Sequence, residues 1–359
     1  MTAKGSSRMQ QIRVALVGCG YIAQAEHLPN LRNNPDFRLA AVVEPRPEIA
    51  AAIPELVGVP AFATLEECLA RVDLDAVVIA TPRESHPGLI VQAAAAGKHI
   101  LVEKPLATTA SEAAPAVETA RNAGIVLLLG YMRPYEADTE EALRLIGEDA
   151  IGTPVAAITR FQLCYRPVYA SPLRWPATDG YRESDTAPRT LQWAMLEESI
   201  HHINLLRRLL GEPDQLLFAG GHPEAYQVVW RAQEALATHL NVSRLDQGER
   251  VEIYGTEGRI SWRPWSPHFP YTFADLRIFS RDSAEERRPI FPRVNPYVAL
   301  LRHFVACIRG DAAPRTPGED GLRDLAFIEE ILAAAANAAG RMEGQHSGAP
   351  WVSSELGPV

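Results

Sequence analysis

Short apolar runs separated by amphipathic stretches set the rhythm of the first third of the chain. Ile12 to Val17, Leu39 to Val43, Asp75 to Ala80, His99 to Val102 and Ile125 to Leu129 are almost continuously apolar and of strand length, which predicts strands buried on both faces. Ala23 to Asn30, Thr64 to Val72, Ser85 to Ala96 and Ser111 to Ala123 read as helices between them. Thr64 is placed to cap its helix ahead of Glu66 and Glu67, and Gly97 and Gly124 stop two others. This alternation predicts a doubly wound parallel sheet.

Past Arg133 and a helix over Ala137 to Ile146 the pattern changes. Val155 to Leu163, Gln215 to Gly220, Glu234 to Val242, Arg250 to Tyr254, Arg259 to Trp262 and Thr272 to Phe279 read as strands joined by turns rather than by crossover helices. The expected architecture is an α/β unit over residues 11–133 and an α+β unit over 134–359 built on a largely antiparallel open sheet, with residues 1–10 a disordered leader. Pro172 to Arg189 is expected to be a long irregular loop, and the tail after Gly340 to be partly disordered. One apolar face of the second sheet asks for a cover, so a homodimer or homotetramer through that sheet is expected.

Candidate chemistry gathers at the strand ends. Gly18-Cys19-Gly20-Tyr21-Ile22-Ala23 is a G-x-G-x-x-A turn between a strand and a helix, the context of a Rossmann dinucleotide site. Gly18 permits the tight turn, Gly20 lets the backbone approach a pyrophosphate, and the helix start offers N–H groups to it. The next strand ends on Glu44, where a carboxylate binds ribose hydroxyls and repels a 2′-phosphate, whereas Arg46 is placed to hold that phosphate; NAD is expected ahead of NADP. Thr81, Glu103-Lys104 and Tyr131 to Arg133 fall at other strand ends on the same edge. Lys104, stiffened by Pro105, suits an acid–base role, anion binding, or plain solvation. In LEESIHHINLLRRLLGEP, Glu197, His201 and Asn204 share one helix face while Ile200, Ile203, Leu206 and Leu210 form another. Adjacent His201 and His202 point about 100° apart on a helix and have no third ligand at suitable spacing, so no metal site is expected.

Composition narrows the partners. A chain of 359 residues, 47% hydrophobic and 22% charged, fits two ordinary globular domains, and a net charge of −9 argues against nucleic acid or an anionic membrane. Cys19, Cys68, Cys164 and Cys307 are scattered, with no CxxC pair, and read as reduced thiols of a cytoplasmic protein. The leader lacks the apolar core of a signal peptide, and no apolar run is long enough to span a membrane.

Taken together, these motifs resemble the glucose–fructose oxidoreductase / inositol dehydrogenase / rhizopine-catabolism family from about Ile12 to Gly340. VGCGYIA is similar to its opening fingerprint, ATPRESH to its T-P-x-x-x-H turn, AGKHILVEKPLA to its E-K-P segment and GYMRPYE to its sixth strand end. Glu197, Ser199, His201 and Asn204 fall on its D-x-G-x-H-x-x-D helix; VEIYGTEGRI and YVALLRHFVACIRG look like its C-terminal sheet and helix. The resemblance implies hydride transfer between nicotinamide and a secondary alcohol or ketone of a sugar, cyclitol or sugar derivative. It implies Lys104 as the catalytic lysine, His201 as its partner and Glu197 as the group steering the imidazole. It assigns Gly18, Gly20, Tyr21, Ile22, Glu44, Arg46, Ala80, Thr81, His86, Glu103 and Lys104 to the cofactor. Tyr131, Arg133, Tyr165, Arg166, Trp193 and Asn204 fall to the substrate. Three departures bear on the substrate more than on the reaction: Glu197 for an Asp, Asn204 for an acid, and Leu191-Gln192-Trp193 where many members carry glycines. The same parts would also serve glycoside elimination or hydrolysis with retained NAD, or an inactive NAD(P)-binding regulator; a regulator has no need of Lys104 and His201.

Overall fold

The computed structural model describes residues 10–163, 190–222, 225–243, 248–264, 275–292 and 294–343. Six parallel strands form the first sheet: β1 (Ile12–Val17), β2 (Phe37–Val43), β3 (Ala61–Phe62), β4 (Ala76–Ile79), β5 (His99–Val102) and β6 (Leu127–Leu129). Their spatial order is β3-β2-β1-β4-β5-β6. Val77, Val78, Ile100 and Leu101 are completely buried, as strands covered on both faces require. The order reverses between β1 and β4, which opens a crevice beyond their carboxyl ends.

Helices α1 (Leu28–Asn33), α2 (Pro47–Val57), α3 (Leu65–Arg71), α4 (His86–Ala95) and α5 (Ala110–Asn122) connect these strands, and α6 (Ala137–Gly147) leads away from them. Thr64 caps α3 by accepting the Glu67 N–H, and Thr109 with Glu112 forms a capping box on α5. Two departures from expectation have proline causes. Pro29 has no N–H to continue an α-helical ladder, and Ala23–His27 is a π-helical turn closed by the Leu28 N–H on the Ala23 carbonyl. No helix was expected after Glu44, yet α2 follows at once because Pro47 is preorganised for a first helical position.

Among the described residues the second sheet has eight strands: β7 (Pro154–Leu163), β8 (Gln215–His222), β9 (Ala225–Ala232), β10 (Ala235–Ser243), β11 (Gly248–Gly255), β12 (Gly258–Trp262), β13 (Arg277–Ser280) and β14 (Glu285–Arg287). Their order is β14-β13-β12-β11-β7-β10-β9-β8, and every pair is antiparallel except β7 with β10. β9 was absent from the sequence reading although Tyr226, Val228, Trp230 and Ala232 alternate into the core. One face of this sheet is covered by α7 (Ile200–Leu210), entered through a short turn at Leu191–Ala194 and a π-helical turn over Met195–Ser199.

Two further helices follow among the described residues. On α8 (Pro296–Arg309), Leu300, Leu301 and Phe304 pack with Val14, Leu31 and Phe37; the Phe37 and Phe304 rings stack at 6.4 Å. The segment ahead of α9 (Gly318–Glu343) lies along β6, with Leu129 N–H on Thr316 O at 2.8 Å and Thr316 Oγ1 on Leu129 O at 2.8 Å. Among the described residues no helix is long and apolar enough to cross a membrane. The expected leader, the Pro172–Arg189 loop, Tyr165, Arg166, Cys164 and the tail beyond 343 lie outside the described residues.

Candidate active site

The glycine turn is shaped by close approach on one side and open space on the other. Gly18 has φ +92°, and a Cβ there would meet the Ala80 carbonyl oxygen at 2.6 Å and Thr81 Cγ2 at 2.8 Å. Nothing lies within 4 Å of a Cβ built on Gly20. Ala23 is fully buried against β1, and Tyr21 and Ile22 are half-buried at the start of the helical turn. A glycine cradle, open at Gly20 and followed by the start of a helical turn, fits the pyrophosphate of a dinucleotide. Gly18→Ala is expected to cost roughly 2 kcal/mol or more of stability and to weaken NADH binding, measured by urea unfolding and fluorescence titration. An alanine variant with unchanged values would show that the turn does not depend on glycine.

Glu44 sits at the end of β2 with its side chain 1% exposed. Its Oε2 accepts the Cys19 N–H at 2.9 Å and the Arg46 guanidinium at 2.8 Å, while Oε1 accepts the Arg46 N–H at 3.0 Å and Nε–H at 2.8 Å. Burial pushes this carboxyl up, but the Arg46 hydrogen bonds outweigh it and hold the group below its usual range. Burial, followed by the Glu44 charge, pushes the neighbouring Cys19 thiol up to about 12. The two residues expected to compete for the ribose end therefore hold each other.

On the far side of the crevice, Lys104 follows β5 and precedes a cis peptide bond to Pro105. Its side chain is 17% exposed, and Nζ donates to the Glu197 carbonyl at 2.9 Å and lies 3.7 Å from Glu197 Oε2. The Glu197 carboxylate is also paired with Arg83, from the turn after β4. One carboxylate from the π-helical turn thus meets two cations carried by the first sheet. His201, one turn further along, is half-buried with its ring edge-on to Tyr131 at 6.0 Å. His202 faces inward and stacks on His239 at 5.1 Å; burial, then the His239 ring, hold it well below its usual range.

Several of the candidate residues are held by partners within the protein. Glu103 is buried, and its Oε1 lies 2.7 Å from His27 Nε2. His86 is buried and places its ring nitrogens 2.9 Å from the Thr81 and Pro105 carbonyls, tying together two strand-end turns. Arg133 is enclosed by Glu136 and Glu249. Asn204 is buried and donates to Asp324 on α9 at 2.8 Å. Tyr131 is completely buried beneath His201, whereas Ala80 and Thr81 line the wall beside Gly18. In each of these cases a polar group reaches the interior and finds a partner there. Trp193 is half-buried, near the start of the helical segment that carries Glu197. Arg83 and His27 were not singled out from the sequence, although the turn containing Arg83 was. No group of residues among those described could hold a metal ion.

Residues 12–131 match the family model described as the oxidoreductase family, NAD-binding Rossmann fold, and residues 144–342 match the same family's C-terminal alpha/beta domain. The chain belongs to the glucose–fructose oxidoreductase / inositol dehydrogenase / rhizopine-catabolism family. This oxidoreductase is 29% identical over 290 residues to the 1,5-anhydro-D-fructose reductase of Ensifer adhaerens, covering 76% of this chain and 81% of that protein. It is 25% identical over 343 residues to the inositol 2-dehydrogenase of Rhizobium meliloti (strain 1021), covering 89% and 96%. Among solved structures, the aldose-aldose oxidoreductase from Caulobacter crescentus complexed with glycerol shares its fold with a TM-score of 0.75 at 24% identity, covering 92% of this chain and 98% of that one. A 3-ketoreductase from Actinomadura kijaniata in complex with NADP and TDP-benzene shares the fold at 0.74 and 22% identity, covering 91% and 98%. The oxidoreductase is thus an enzyme with an NAD-binding Rossmann domain, and its relatives are named as dehydrogenases and reductases.

Proposed function

We propose that this oxidoreductase moves a hydride between nicotinamide and a secondary alcohol or ketone of a sugar, cyclitol or sugar derivative, with Lys104 as acid–base group at the reacting oxygen. The carrying observation is the ammonium of Lys104, fixed at 2.9 Å on the Glu197 carbonyl at the mouth of the crevice. Nicotinamide, when bound, supplies the hydride chemistry. Lys104 handles the hydroxyl proton, His201 is its partner one turn from Glu197, and the Glu197 carboxylate, shared with Arg83, orients the cluster. Residues 11–133 form the nucleotide unit and 134–359 the substrate unit. Exposed Val155, Leu217, Phe218 and Leu236 on the second sheet support a homodimer or homotetramer through that sheet.

NAD is the preferred cofactor in this reading, its ribose hydroxyls taking the place of the Arg46 guanidinium on Glu44. Fluorescence titration with NADH and NADPH, then a screen of polyols, sugars and keto-sugars at the nicotinamide absorbance, tests the proposal. NADH is expected to bind more tightly, with turnover on one polyol or keto-sugar class. Glu44→Ala is expected to cost about tenfold in NADH affinity and to favour NADPH, since Arg46 is then free to meet the 2′-phosphate. Failure to bind either nucleotide would sink the proposal.

A further inference from the structure

Two π-helical turns touch the Glu103–Lys104 pair. The first, Ala23–His27, follows the glycine turn and ends on a fully buried histidine. His27 Nε2 lies 2.7 Å from Glu103 Oε1, and because a carboxylate only accepts, the ring nitrogen donates. The other Glu103 oxygen accepts the backbone N–H of Lys104 at 3.2 Å. Gly130 walls this carboxylate in: a Cβ there would come within 3.0 Å of Glu103 Oε1. Tyr297 of α8 closes the other side, edge-on to His27 at 5.3 Å. The second turn, Met195–Ser199, belongs to the segment over the second sheet. A π-helical turn loosens carbonyls from the regular ladder, and here the Glu197 carbonyl takes the ammonium of Lys104.

We infer that His27 is a positioning residue for Lys104. Acting through Glu103, it fixes the peptide from which the lysine springs, while the Glu197 carbonyl fixes the far end of the side chain. Without the His27 donor, the buried carboxylate turns toward other partners and releases the Lys104 N–H, so the ammonium no longer has one place. The inference rests on the reading of Lys104 as the acid–base group, but its test does not use turnover.

Lys4, Lys98 and Lys104 are the only lysines in the chain, which makes amine labelling a clean probe. The full chain, without nucleotide, is treated with limiting acetic anhydride, and the ratio of Lys104 to Lys98 modification is read by mass spectrometry. His27→Leu is expected to raise that ratio about tenfold, the worth of a lost hydrogen bond to a charged group. His27→Gln, whose amide N–H replaces the ring donor, is expected to bring it within about twofold of the parent chain. If His27→Leu does not fold, the double variant His27→Leu/Glu103→Leu, which leaves no unpaired carboxylate inside, is expected to show the same rise. An unchanged ratio in a folded leucine variant, or a glutamine variant as reactive as leucine, overturns the inference. Turnover that survives in Lys104→Ala would remove the acid–base reading and leave the labelling result standing.

Discussion

Lys104→Ala is expected to lower kcat/KM by about 10²- to 10⁴-fold while NADH affinity stays within about threefold. The ammonium is the group held at the crevice mouth by the Glu197 carbonyl, whereas the Glu44 carboxylate is held by Arg46 and the Cys19 N–H. Removing it takes away proton transfer and leaves the nucleotide cradle as it was. Lys104→Arg is expected to be no better, because a guanidinium keeps its proton and is too broad for the place of an ammonium. Single-turnover absorbance at the nicotinamide separates the outcomes. A slow chemical step with normal binding supports the role, whereas lost binding with an intact chemical step would make Lys104 a cofactor anchor.

The largest stability effect is expected at Arg133. Its guanidinium is enclosed by Glu136 and Glu249, with Asp138 near. Burial pushes both glutamates up, and Arg133 pulls them back. Asp138 is pushed up by burial to about 6, against the pull of the Thr139 N–H and of Arg133. Arg133→Met leaves buried acids without a counter-charge, at a cost of about 3–5 kcal/mol. An acid whose folded pKa is raised binds a proton more readily in the folded chain, so it adds stability at low pH and loses it as pH rises through the raised value. The deficit of Arg133→Met, read by urea unfolding against the parent chain, is therefore expected to be larger at pH 8 than at pH 5.5. Equal deficits at both pH values would show that the glutamates do not take up protons in the interior. The triple variant Arg133→Met/Glu136→Gln/Glu249→Gln is expected to recover most of the loss.

The parallel sheet was legible because burial on both faces makes strands such as Ala76–Ile79 continuously apolar. The glycine turn was legible because close backbone approach at Gly18 leaves glycine as the fitting residue. β9 carried a readable signal, the alternation of Tyr226, Val228, Trp230 and Ala232, and was passed over. For the candidate site, strand-end positions were legible but the orientations of their side chains were not. Strand-end positions mark the edge where ligands bind, yet they do not say whether a side chain turns outward, as that of Lys104 does, or inward, as those of Glu103 and Arg133 do. That choice is made by partners distant in sequence, His27 for Glu103 and Glu249 for Arg133, and no local pattern points to them. Arg83 reaches Glu197 across 114 residues for the same reason.

The bonds between Leu129 and Thr316 span 187 residues, and the cover over Val14 and Phe37 comes from a helix that starts at Pro296. During vectorial synthesis the nucleotide-binding third leaves the ribosome with β6 as a bare edge and with the part of its core under α8 open to water. It waits in that state until the residues from Pro296 to Thr316 have been made. A fragment cut near residue 133 inherits the same incompleteness and is a poor stand-alone reagent. The nascent enzyme is correspondingly most exposed to aggregation, and most in need of a chaperone, in the interval between completing its first sheet and delivering α8 and the Thr316 segment.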